Sequence, residues 1–177
     1  MTSRIERVAA QSAAVKTRKV FVFAQTNLTT ALSEIARARD IVEFSTVVVT
    51  REKQLRKVDH PVFLQKAAVE FQSRFLPSFE ESIFAGKSWG YATTCNAVSR
   101  KAGGQAGRDV CERIASRVSQ LDHVLIGKVG IRALSIFAAS FGRHSKKAEC
   151  RCGAIRIAKF CREEGRPLEE LNKAWRR

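Results

Sequence analysis

Proline is scarce in this chain, long apolar runs are missing, and acidic residues are outnumbered. Three prolines (61, 77 and 167) and ten glycines supply too few turn signals for an all-β protein, which needs one about every 8–12 residues. The longest apolar runs, VFVFA and TVVV, fall far short of the ~18 residues of a membrane-spanning helix. A soluble, cytoplasmic protein with no membrane partner is therefore expected. Internal repeats and low-complexity tracts are also absent, and 45% hydrophobic residues is ordinary for a folded chain. Acids are short where bases are not: 17 Asp and Glu face 32 Lys and Arg, a formal charge of +15. A field of that sign favours a polyanion or an anionic surface as partner.

Five cysteines without a secretory signal read as reduced thiols rather than a disulfide framework. The first twenty residues are amphipathic, Arg-bearing and poor in acids, as in a mitochondrial presequence. Ser3 and Glu6 at capping-box spacing, with Ile5, Val8, Ala9 and Val15 on one face, favour an ordinary first helix instead.

Apolar periodicity points to helices throughout. Leu28, Leu32 and Ile35 form a stripe after a plausible Asn27 cap, and Leu64, Ala67, Ala68, Phe71 and Phe75 form another that Pro77 ends. Ser78 and Glu81 offer a capping box ahead of Ile83 and Phe84. After the Gly103–Gly104 break, Val110, Ile114, Val118, Leu121 and Leu125 mark one regular helix, and residues 131–141 suit a buried one. Pro167 fits the first turn of a last short helix carrying Leu168, Leu171 and Trp175. Residues 20–23 and 44–49 are strand-like by propensity alone but are assigned to helices or their ends. The resulting expectation is an all-α protein of two small helical lobes, residues 1–88 and 89–177, sharing or joining cores, with the division near Lys87 to Gly90. Phe137, Phe141 and Trp175 are candidates for core or for subunit contacts.

The stretch KAECRCGAIRIAKFC (147–161) holds three of the cysteines. With His144, Cys150, Cys152 and Cys161 supply four potential zinc ligands, but the spacing is Cys-x-Cys and no second knuckle follows. Cys150, Ala154, Ile157 and Cys161 recur at helical spacing, with the basic residues largely outside that stripe, so a basic amphipathic helix explains more. AGKS at 85–88 lacks the first glycine of a phosphate-binding loop, since Glu81 stands there. His60, His123 and His144 have no partner at a catalytic spacing. The sequence thus predicts no enzyme, no cofactor and no metal.

Positive charge remains. Arg51, Lys53, Arg56 and Lys57 form one cluster; Arg100 and Lys101 precede the double glycine, with Arg108, Arg113 and Arg117 on the helix after it. Arg143, Lys146, Lys147, Arg151, Arg156 and Lys159 form a carboxy-terminal block, where from residue 142 onward eleven Lys and Arg stand against five Asp and Glu. Each alone reads as solvated surface. Together they repel one another, and a phosphate backbone relieves that repulsion while releasing counterions. RNA-recognition-motif strands, a KH loop and zinc-finger spacing are all missing, so any binding should be by backbone and shape.

FSTVVVTREKQLRKVDHP (44–61), an apolar run, a charged segment and a closing His-Pro, and CNAVSRKAGGQAGRDVCERIASRVSQLDHVLI (95–126), a helix, a glycine turn and a second basic helix, resemble segments of the small closterovirus RNA-silencing suppressors. The resemblance implies an all-helical protein whose subunits assemble into a ring with a basic inner face that holds RNA, small duplexes included. It would put phosphate contacts among Arg51, Lys53, Arg56, Lys57, Arg100, Lys101, Arg108, Arg113 and Arg117. The carboxy-terminal block with its three cysteines departs from the family pattern, and the net charge exceeds what the family requires. The expected function is sequence-nonspecific sequestration of RNA by a homo-oligomer in the host cytoplasm, suppressing silencing. The rivals are a DNA-binding regulator with residues 108–125 as one helix of a helix-turn-helix, and a viral structural or peripheral basic protein.

Overall fold

A computed structural model describes residues 26–166. The amino-terminal capping box, residues 20–23 and the final helix expected after Pro167 lie outside them. Among the described residues there are nine α-helices and no strands: α1 Leu28–Arg37, α2 Ile41–Gln54, α3 His60–Arg74, α4 Phe79–Phe84, α5 Ser88–Val98, α6 Gly104–Gln120, α7 His123–Val129, α8 Ile131–Arg143 and α9 Ala148–Glu163. Short 3-10 turns, Leu76–Ser78 and Lys101–Gly103, precede α4 and α6. No single described helix is long and apolar enough to cross a membrane.

Side-chain caps set several of the starts. The Asn27 side chain accepts the Thr30 N–H at 2.8 Å to open α1. At α2, Asp40 accepts from the Val42 and Glu43 N–H groups at 3.0 and 2.9 Å, and the Glu43 bond, with Lys87 beside it, holds the Asp40 carboxyl below its ordinary pKa. This explains why the strand-like stretch at 44–49 is helical. The cap fixes the first turn, and Phe44 and Val48, one turn apart, then bury fully in the core.

Two local expectations fail. Ser78 makes no cap, because the 3-10 turn carries its hydroxyl back to the Phe75 carbonyl at 3.5 Å. The helix marked by Val110 to Leu125 is two helices: Leu121 turns extended and the Asp122 carboxylate accepts the Leu125 N–H at 2.7 Å, capping α7. A local side-chain acceptor has outcompeted the continuing helical ladder.

α2 and α5 run parallel. Asp40 pairs with Lys87 at their amino ends (3.2 Å) and Glu52 with Arg100 at their carboxy ends (2.8 Å). α9 lies parallel along α6, close enough for Lys147 to reach Glu112 at 3.0 Å and for Arg156 to reach the Leu121 carbonyl. Aromatic contacts link Phe44, Phe71, Tyr91, Phe79, Phe137 and Phe141 in series, with centroid separations of 5.0 to 6.4 Å. That series crosses from α2 to α8, and the buried apolar side chains on both sides of residue 88 belong to one cluster. Phe137 and Phe141 are fully buried core residues, not subunit contacts.

Arg74 ties α3 to α1 by donating to the carbonyls of Ile35, Ala36 and Ala38 at the end of α1. It satisfies orphan acceptors and places a cation at the negative end of the helix dipole. Arg74→Ala should cost about 1.5–3 kcal/mol, the usual range for losing a charged donor, read as a lower urea midpoint with unchanged slope.

Candidate functional site

The expected cations divide by what they touch. Arg51 donates to Glu34 and Gln54 and to the Thr26 hydroxyl, so it is committed to fastening α2 to α1. Arg156 gives both Nε and Nη2 to the Leu121 carbonyl, closing the end of α6. Arg117 faces Glu80 at 4.0 Å, and Lys159 faces Glu163 at 3.8 Å. Arg113 is exposed midway along α6.

Most of the others are gathered at one end of the bundle. Arg100 closes α5 and meets Glu52 of α2, whose neighbour is the exposed Lys53. Arg56 and Lys57 continue from there in the loop after α2, with Arg56 3.0 Å from Asp59. Arg143 Nη2 reaches the Asn96 side-chain oxygen at 2.7 Å and the Ser99 hydroxyl at 3.3 Å, and His144 bonds the Ser99 carbonyl at 2.7 Å. Those contacts hold the end of α8 against the end of α5. Partial burial lowers the Arg143 pKa from its ordinary value. Lys146, Lys147 and Arg151 follow at the start of α9, where the bond to Glu112 raises the Lys147 pKa. Lys101 and Arg108 flank the start of α6, Arg108 bonding Gln105 at 2.7 Å.

Helix direction accounts for part of the gathering, the cations of α2, α5 and α8, but not for Lys147 and Arg151 at the start of α9. The carboxy ends of α2, α5 and α8 meet here, and cations are favoured against those partial negative charges. At the opposite end Asp40 and Asp122 cap helix starts, Glu80 and Glu81 sit in the first turn of α4, and His123 meets Glu164 at 2.8 Å. Lys53, Lys57, Lys101, Lys146 and Arg151 have no carboxylate partner within ion-pair distance among the described residues.

Between α2 and α5, at the same end, lies a cleft of about 320 Å³ that includes Glu52, Lys53, His60, Asn96 and Arg100. Glu52, only 9% exposed, was missed as a candidate. Its register with Phe44 and Val48 at i+4 and i+8 was the available signal, a carboxylate set on an apolar stripe.

The cysteines take up separate positions. Cys150 packs against Cys111, sulfur to sulfur at 3.9 Å; Cys161 is buried elsewhere along α9; Cys152 is exposed. Among the described residues no group of three or more His, Cys, Asp or Glu is arranged to hold a metal ion. The Cys150 thiol is pushed up in pKa by its bond to Cys111 and by burial. The Cys150 contact alone would favour a Cys111 thiolate, but the bond to Cys95 and burial prevail and raise that pKa too. Burial likewise raises Cys161. A thiol reagent at pH 8 should therefore titrate one cysteine promptly, Cys152, and the other four only on denaturation; Cys152→Ser should remove the prompt phase.

The chain matches no family model, no curated protein and no solved structure.

Proposed function

We propose that the protein binds RNA through the phosphate backbone at this basic end, without strong sequence preference, and acts by sequestering it. One observation carries the reading: five exposed cations without an ion-pair partner among the described residues, Lys53, Lys57, Lys101, Lys146 and Arg151, share one end of the bundle. A polyanion docked there neutralises crowded positive charge and releases its own counterions. The family resemblance extends the proposal to small duplexes, suppression of silencing and a homo-oligomeric ring. There, repeated weak sites would raise the effective concentration.

The test is binding of a short RNA duplex, its DNA equivalent and single-stranded RNA across a salt series, with chromatographic size recorded in parallel. The expected result is tight binding to RNAs of unrelated sequence, with log affinity falling linearly against log salt by about 0.9 per duplex phosphate neutralised. Strong preference for one DNA sequence, or no binding at low salt, would overturn it.

A further inference from the structure

We infer that the cleft between α2 and α5 is a pocket for one unpaired nucleotide, its phosphate held by Lys53 and Arg100 and an amino group of its base by Glu52. The inference rests on the RNA-binding reading and gives that surface a single position of base preference.

At about 320 Å³ the cleft lies in the range of small-ligand pockets, roughly 300–1,000 Å³. Its polar groups are partly spoken for, and what remains is specific. Arg100 gives Nη1 to Glu52 Oε1 at 2.8 Å, which leaves Nε and Nη2 without partners among the described residues. Lys53 is exposed and unpaired. Asn96 must present its oxygen to Arg143, because a guanidinium only donates, so its NH₂ is left as a donor. Glu52 Oε2 has no hydrogen-bond partner among the described residues and is open to solvent, so it is free to accept from a ligand. His60 bonds the Leu55 carbonyl through Nε2, which must therefore carry the hydrogen.

A bare phosphate fits this set poorly, since a nearly buried carboxylate faces it. A nucleotide fits both halves: phosphate oxygens take the Lys53 and Arg100 donors, and an amino group on the base donates to Glu52 Oε2 in place of water. Holding Arg100 accounts for only one carboxylate oxygen.

Cytidine and uridine 5′-monophosphates make a discriminating pair, because cytosine offers an N4 amino donor where uracil offers an acceptor that a carboxylate repels. In calorimetric titrations of the full chain, the cytidine nucleotide should bind about tenfold more tightly than the uridine one, within the range of a single base-edge contact. Lys53→Ala, an exposed change without structural contacts, should weaken both by a similar factor, whereas Glu52→Gln should bring their affinities together. Thermal melting checks that each variant is folded; if Glu52→Gln is not, Lys53→Ala and the wild-type ratio decide. Equal affinities for the two nucleotides, no binding at millimolar concentration, or indifference to Lys53→Ala would overturn the pocket. Duplex RNA binding without nucleotide binding would sink the pocket alone, and nucleotide binding without RNA binding would sink the RNA reading alone.

Discussion

Gly107→Ala should destabilise the protein more than any other single-methyl addition in α6. A Cβ at that position would lie 1.8 Å from the Val98 carbonyl oxygen and 2.8 Å from its carbon, and the obstacle is backbone rather than a side chain that can swing away. One turn earlier, a Cβ on Gly103 would lie 1.7 Å from the same oxygen. The two glycines let the start of α6 press directly on the end of α5, and that contact holds Arg100 and Lys101 where the basic end needs them. Accommodating the methyl means prising the helices apart, at a cost of about 3 kcal/mol or more, the upper part of the overpacking range. For a chain of this size that is a fall of about 6–12 °C in melting temperature. Gly127→Ala is the control: its Cβ would meet the Phe160 ring at an ordinary 3.6 Å inside α7. It should be neutral or stabilising by up to about 1 kcal/mol, because alanine loses less backbone entropy than glycine. Equal melting temperatures for the two variants would show that the α5–α6 contact is looser than the geometry requires.

The second large effect is expected in RNA binding. Lys101→Glu with Lys146→Glu places two acids among the crowded cations, at exposed positions without ion-pair partners among the described residues. Affinity for an RNA duplex should fall by a factor on the order of ten or more, uniformly across sequences. The slope of log affinity against log salt should shallow by about 2, one contact per lysine lost. Lys159→Glu, at the far end beside Glu163 and two residues past the buried Ile157, should leave the slope within about 0.3 of wild type. A double variant with an unchanged slope would place the phosphates elsewhere on the molecule. Melting temperatures of all three should lie close together, since surface charges contribute little to stability.

Much of the helical order was legible because its causes are local. Asn27 and Asp40 cap within three residues of themselves, and the stripes of α3, α8 and α9 repeat within one or two turns. The reading failed where a local competitor was overlooked: Asp122 could cap a new helix as well as ride on an old one, and Ser78 entered a 3-10 turn instead of a cap. The roles of the cations were far less legible. Arg51 and Lys53 look equivalent as neighbours in a basic run, yet one is locked to Glu34 and the other is exposed.

By itself, then, the sequence determined that this is a helical protein with a large excess of positive charge, that residues 147–161 form a basic amphipathic helix, and that turn-poor composition excludes an all-β fold. Those properties depend on residue type and on spacings of four or fewer. Which cations remain free and share one end depends on packing, because the partners that consume the others are remote in the chain. Arg51 meets Glu34 across 17 residues, Arg156 meets Leu121 across 35, and Arg100 meets Glu52 across 48. Packing brings the carboxy ends of α2, α5 and α8 beside the starts of α6 and α9, and no periodicity along the chain records that alignment.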